Sequence, residues 1–174
     1  TLISTTKDIP QEAMQWLLKY NITPDEINKY KIKWSNPSKV LVLIQTNSYW
    51  QGRNFSFGNI KYMSSGNKPL TIYGEGGILL VVEDVLSAIK IARLRHEGYC
   101  ATPLLGSSLS KQAEHQLVKR YKHIYVWLDR DKAKNAVRIR NKLRSQGVES
   151  RVIITPLDPK EYNKTEISKW LKSK

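Results

Sequence analysis

Two short apolar runs, Ile78-Leu79-Leu80-Val81-Val82 and Ile124-Tyr125-Val126-Trp127-Leu128, end directly on acids: Glu83 and Asp84 after the first, Asp129 and Asp131 after the second. Runs this short, rich in β-branched residues and apolar at nearly every position, suit strands buried on both faces. Amphipathic stretches follow them, and the alternation repeats. A helix is expected over residues 85–95, a brief strand near Cys100, a helix over 110–121, a strand over 124–128, a helix over 132–145 and a strand over 148–154. Apolar strands alternating with helices predict an α/β fold, a parallel sheet with helices on both faces. In open sheets of this kind functional residues gather just past the carboxyl ends of the strands, which is where the acids stand.

The upstream part reads differently. Residues 1–35 hold Pro10 before Ala13, Trp16 and Leu17, then Thr23-Pro24-Asp25-Glu26 before Ile27 and Tyr30. A cap residue, proline at the first helical position and acids in the first turn predict a helix start, so two short helices are expected. Residues 36–76 carry short β-branched and aromatic runs punctuated by Gly58, Gly66 and Pro69, the pattern of a small antiparallel sheet. The expected organisation is a helical segment 1–35, a β-rich subdomain 36–76, a parallel-sheet domain 77–160 and a C-terminal helix 161–174. In that last helix Ile167, Trp170 and Leu171 share a face, which could dock on this core or on another domain.

Carboxylates are hard oxygen ligands suited to Mg²⁺ or Mn²⁺, and several converging carboxylates can hold ions that stabilise an in-line displacement at phosphorus. The bland alternative is that acids after strands cap the next helices. That reading serves Asp131 well, but it explains the whole cluster poorly, because buried like charges need a compensating cation or donor. A formal charge of +14 favours a polyanionic partner such as nucleic acid, although it could serve solubility alone. Cys100 is the sole cysteine and His96, His115 and His123 are far apart, so no zinc finger or disulfide framework can be written. No apolar run is long enough to cross a bilayer, and the start at Thr1 lacks signal-peptide features, so a cytoplasmic location, without membrane, is expected. The absence of an initiating Met suggests a fragment of a longer protein.

The acid pattern resembles the Toprim domain, shared by bacterial and phage primases, topoisomerases and some nucleases, with a Glu after its first strand and Asp-x-Asp after its third. Glu83 and Asp129/Asp131 match those places. Thr102-Pro103-Leu104-Leu105-Gly106-Ser107-Ser108-Leu109-Ser110 is similar to the glycine-containing loop of primases, and Asp158-Pro159-Lys160-Glu161-Tyr162 resembles their Asp-Pro motif. Upstream, Trp50-Gln51-Gly52-Arg53 and Ile60-Lys61-Tyr62-Met63-Ser64-Ser65 resemble the Gln-Gly-Arg and Pro-Lys-Tyr-Leu-Asn-Ser motifs of primase cores.

The resemblance implies a Toprim-fold catalytic core of a phage-type or bacterial-type DNA primase, of the primase-helicase family. Its activity would be metal-dependent synthesis of short RNA primers from ribonucleoside triphosphates on a single-stranded DNA template. It also implies catalytic Glu83, Asp129 and Asp131, a Mg²⁺ or Mn²⁺ site of Glu83, Asp129, Asp131 and Asp158, and nucleotide or template contacts from Arg53, Lys61 and Lys68. A replicative helicase and a zinc-binding domain outside this chain would be its partners; no Gly-x-x-x-x-Gly-Lys-Ser/Thr loop is present to drive a motor. Ser87 stands where the family has a second acid, Lys134 where it has glycine, and Lys160 where it has the second acid of Asp-Pro-Asp. A second metal is therefore expected to bind less tightly.

Two rivals remain at this level: a metal-dependent nuclease, and a primase-like module that binds single strands without catalysis. A topoisomerase fragment is disfavoured, since none of the nine tyrosines has a nucleophile context. Tyr49, Trp50, Phe55 and Phe57 could stack on bases, but at least two are expected in the core.

Overall fold

The computed structural model describes residues 2–173. Thr23 accepts the Glu26 backbone N–H at 3.1 Å while the Glu26 carboxylate accepts that of Thr23 at 3.0 Å. This capping box starts helix α2 (Pro24–Lys29), which follows α1 (Gln11–Lys19). The two expected helices are present.

They belong to the first of two compact units, Thr1–Pro69 and Leu70–Lys174. The rest of the first unit is an antiparallel meander, β1 (Lys33–Ser35), β2 (Val40–Gln45), β3 (Tyr49–Asn54) and β4 (Tyr62–Gly66), each strand paired with its neighbour in sequence. A bulge between Val42 and Ile44 shifts the β2–β3 register. Every residue from Val40 to Ile44 is buried, which explains the unbroken apolar run there. Trp16, Trp34 and Phe55 meet edge to face, with Phe55 6.2 Å from Trp16 and 6.0 Å from Trp34. Tyr49 is buried as well, whereas Phe57 is fully exposed.

In the second unit β5 (Ile78–Val82) lies between β6 (Tyr99–Pro103) and β7 (His123–Trp127), parallel to both. Helices α3 (Val85–Ala92), α4 (Lys111–Arg120), α5 (Ala133–Ser145) and α6 (Lys164–Lys172) complete the unit. On one face of the sheet Leu79, Val81, Ile124 and Val126 pack with Leu117 of α4 and Ala136, Ile139 and Leu143 of α5. Helix α3 packs on β5 and β6 and touches α6, and all of its residues are buried. The expected α/β sheet is thereby realised.

Three details differ from the sequence expectation. The helix predicted to residue 95 ends at Ala92 and tightens into a 3-10 turn, Arg95–Glu97, closed by Gly98 at φ 92°. The helix predicted from residue 132 begins with a 3-10 turn over Arg130–Lys132. The strand predicted over 148–154 pairs only through isolated parallel bridges, His123 with Glu149 and Val126 with Val152. Its strand-type bonds run to residues 122–126, the Ser150 carbonyl accepts instead from Arg144, and Ile154 faces solvent, so continuous burial does not hold it regular. Ile167 and Leu171 of α6 are fully buried, so this helix docks on its own unit. Arg151 fastens it, donating to the Leu171 carbonyl at 2.9 Å while stacking 4.2 Å from the Tyr125 ring centroid. Among the described residues no helix is long and apolar enough to cross a membrane.

Candidate metal centre

Strand register builds the site. Val82 stands opposite Trp127, so the chain leaving β5 presents Glu83 level with Leu128 and one residue short of Asp129. Both acids thus emerge side by side at the carboxyl end of the sheet. The third acid arrives from farther along. Trp127 Nε1 donates to Thr155 Oγ1 at 2.8 Å, the Leu157 N–H donates to the Tyr162 hydroxyl at 3.1 Å, and the Glu161 N–H donates to the Asp158 carbonyl at 2.9 Å. These bonds pin the turn that carries Asp158. Glu83, Asp129 and Asp158, all partly buried, each offer an oxygen, and these atoms lie within 4.8 Å of one another.

Asp131 stands apart from this trio. It is exposed in the Arg130–Lys132 turn, and it acts on the site through Lys132, whose ammonium is held above its usual range by Glu83 first, with Asp129 and Asp131 adding to the pull. Lys132 Nζ is ion-paired with Glu83 Oε1. On the other flank Lys160 Nζ lies 2.7 Å from Asp84 Oδ2 and 2.8 Å from Asp158 Oδ2. Neither lysine contact is legible from spacing. A buried lysine, Lys90, donates to the Tyr162 carbonyl at 3.1 Å and so helps to hold the Asp158 turn. Its signal was available, since a lysine inside the largely apolar helix VLSAIKIA needs a buried partner.

The electrostatics suit a cation. Burial and then the hydrogen-bonded Asp129 push the Glu83 carboxyl up to about 7, and Lys132 only partly offsets them. Asp158 Oδ1 is buried and accepts no hydrogen bond from the described residues. Hard oxygen donors that repel one another, one of them with an unsatisfied buried lone pair, are the donor set a small divalent ion takes. The residues present therefore fit Mg²⁺ or Mn²⁺.

The loop after β6 lies against the same site. Leu104 N–H donates to the Val82 carbonyl at 2.8 Å and Leu105 N–H to that of Glu83 at 3.2 Å. Leu105 is buried with φ 56°, a left-handed conformation that costs a non-glycine residue about 1–3 kcal/mol and that tends to collect at functional loops. Asn135 of α5 ties this loop down through the Ser107 carbonyl at 2.6 Å.

The basic candidates are in the first unit. Arg53 on β3 sits 5.6 Å from the ring centroids of both Trp16 and Tyr62, so its guanidinium is already engaged by two aromatic faces. Lys61 and Lys68 are exposed.

Residues 80–165 match a family model described as Toprim-like. No curated protein matches this sequence. Among solved structures the fold is similar to the zinc-binding and RNA polymerase domains of the Aquifex aeolicus primase, with a TM-score of 0.73 at 17% identity, covering 93% of this chain and 55% of that one. It is similar also to the DnaG catalytic core, with a TM-score of 0.68 at 16% identity over 93% of this chain and 72% of that one. The DnaG primase catalytic domain bound to single-stranded DNA gives 0.66 at 16% identity, over 93% and 71%. At such identities the likeness establishes the fold, and the chain spans little more than half of the Aquifex structure's length.

Proposed function

We propose that this chain, which carries a Toprim-like domain in the fold of a primase catalytic core, synthesises short RNA primers on single-stranded DNA by metal-dependent nucleotidyl transfer. The observation that carries the reading is the convergence of Glu83, Asp129 and Asp158 within 4.8 Å at the carboxyl end of a parallel sheet. In the reaction a primer 3′-hydroxyl oxygen bonds to the α-phosphorus of a ribonucleoside triphosphate. The bond from that phosphorus to the bridging oxygen breaks, pyrophosphate leaves with the electron pair, and the hydroxyl proton passes to water. A divalent ion held by Glu83, Asp129 and Asp158 would supply positive charge against the charge developing at phosphorus and would lower the hydroxyl pKa.

The chain's own residues do the rest by positioning. Glu83 and Asp129 are held side by side by strand register, and Asp158 is held by its turn, so the ligand geometry is set before substrate arrives. Asp131, exposed beside them, is proposed as a catalytic acid reached through the solvent side. Arg53, Lys61 and Lys68 are proposed for nucleotide and template phosphates, which arginine grips through paired donors and lysine as a point charge. The Aquifex structure joins a zinc-binding domain to its polymerase domain, which supports a separate zinc module as partner here. A helicase partner, a cytoplasmic location and a phage source belong to the same reading.

A non-catalytic single-strand-binding module has one observation in its favour: Lys132 and Lys160 already neutralise part of the acid cluster. Incorporation of labelled ribonucleotides on a mixed-sequence single strand, with Mg²⁺ or Mn²⁺, separates the two. Metal-dependent oligoribonucleotides, reduced at least about a hundredfold by Asp129→Ala, as for loss of a main transition-state charge contact, are the expected result. Strand binding without synthesis selects the inactive module, and template breakdown selects a nuclease.

A further inference from the structure

The acid cluster has a cation built into its flank. Lys160 lies in the 3-10 turn Pro159–Glu161, two residues after Asp158, and bridges Asp158 Oδ2 and Asp84 Oδ2 at 2.8 and 2.7 Å. All three side chains are only 12–13% exposed. Asp84 has both oxygens committed, since Oδ1 caps α3 by accepting the Ser87 N–H at 2.9 Å. Both of its oxygens are thus engaged while Lys160 stays. The Ser87 hydroxyl nearby is buried without a hydrogen-bond partner among the described residues, and it is a poor ligand for a hard dication compared with a carboxylate.

We propose that Lys160 is a fixed cation of this centre: one divalent ion binds at Glu83, Asp129 and Asp158, and the Lys160 ammonium holds the adjoining position, between Asp158 and Asp84, that a second ion would need. The inference rests on the metal reading above and adds that the second cation of the centre is a lysine ammonium. Lys132 does not compete for this role. Its side chain is 42% exposed and its partner is Glu83, a ligand of the first ion, so that ion can displace it into solvent. Lys160 is shared with Asp84, which is not among the ligands of that ion, so displacing it would leave a carboxylate with little access to water without its cation. A dication placed at the same point would also meet its charge at close range.

The test counts bound Mn²⁺ per chain, from the electron paramagnetic resonance of the free ion during titration, with folding checked by thermal melting. Wild type should bind one ion that is lost in Asp129→Ala. Lys160→Ala should bind two, and Lys160→Arg, which keeps the charge, should bind one. Lys160→Met removes the charge while keeping most of the stem, and it serves if the alanine variant is misfolded; it too should bind two. Two ions on the wild type overturn the proposal, as does a single ion on both charge-removing variants. No ion on the wild type, or an ion indifferent to Asp129→Ala, overturns the metal reading itself, an outcome distinct from either of those.

Discussion

Glu83 takes up a proton more readily in the folded chain than in the unfolded one, because burial and the neighbouring Asp129 move its carboxyl from an ordinary 4.5 to about 7. A raised carboxyl pKa contributes stability that is complete below the unfolded value and is lost as pH rises through the folded one. Metal-free protein in chelator should therefore show a melting temperature that falls between about pH 4.5 and about pH 7 and then levels. Glu83→Gln should remove most of that dependence and melt higher than wild type above pH 7. Melts of wild type and variant across this range check both. Gly52, inside the Gln51-Gly52-Arg53 motif, has a steric duty as well: a Cβ there would lie 2.4 Å from Val40 Cγ1 and 2.5 Å from the Leu41 carbonyl oxygen. Gly52→Ala should cost about 1–3 kcal/mol in denaturant melts, the usual range for overpacking. At this scale the acids were readable because strand ends fix where Glu83 and Asp129 emerge. The lysines were not, since a long flexible stem can reach any of several carboxylates and spacing does not say which.

Among the elements, the central strands were the plainest, because apolar residues at nearly every position leave few alternatives to a strand covered on both faces. The region 148–154 was harder, since its apolar residues serve a one-sided pairing that breaks into bridges. Helix α6 was readable as a helix from Ile167, Trp170 and Leu171, but periodicity cannot name the surface that receives a face. That surface is the second unit itself, where Tyr162 lies between Trp127 at 6.3 Å and Trp170 at 6.1 Å. Leu171→Ala should accordingly destabilise this unit by roughly 2–5 kcal/mol. Ile154→Ser, at a position 52% exposed, should change stability by less than about 0.5 kcal/mol. Urea unfolding followed by tryptophan fluorescence distinguishes them.

For the molecule as a whole, the excess of lysine and arginine that gives +14 was legible at once, and the structure adds that Lys61 and Lys68 are exposed. If single-stranded DNA is the partner, log affinity should fall with log salt by about 0.7 per phosphate neutralised. Fluorescence anisotropy of a labelled oligonucleotide at several salt concentrations measures this slope, and a flat line would remove the polyanion argument. The division into two units, each with its own strand pairing, has a further consequence for synthesis on the ribosome. In the first unit each strand pairs with the one just made, so the sheet can close as it emerges. In the second, the middle strand of the sheet is made first: β5 leaves the ribosome with nothing to pair with until β6, and then β7 more than forty residues later, have followed. During that interval Leu79, Leu80, Val81 and Val82 form a bare, sticky segment, and the nascent chain is most exposed there to aggregation and to capture by chaperones.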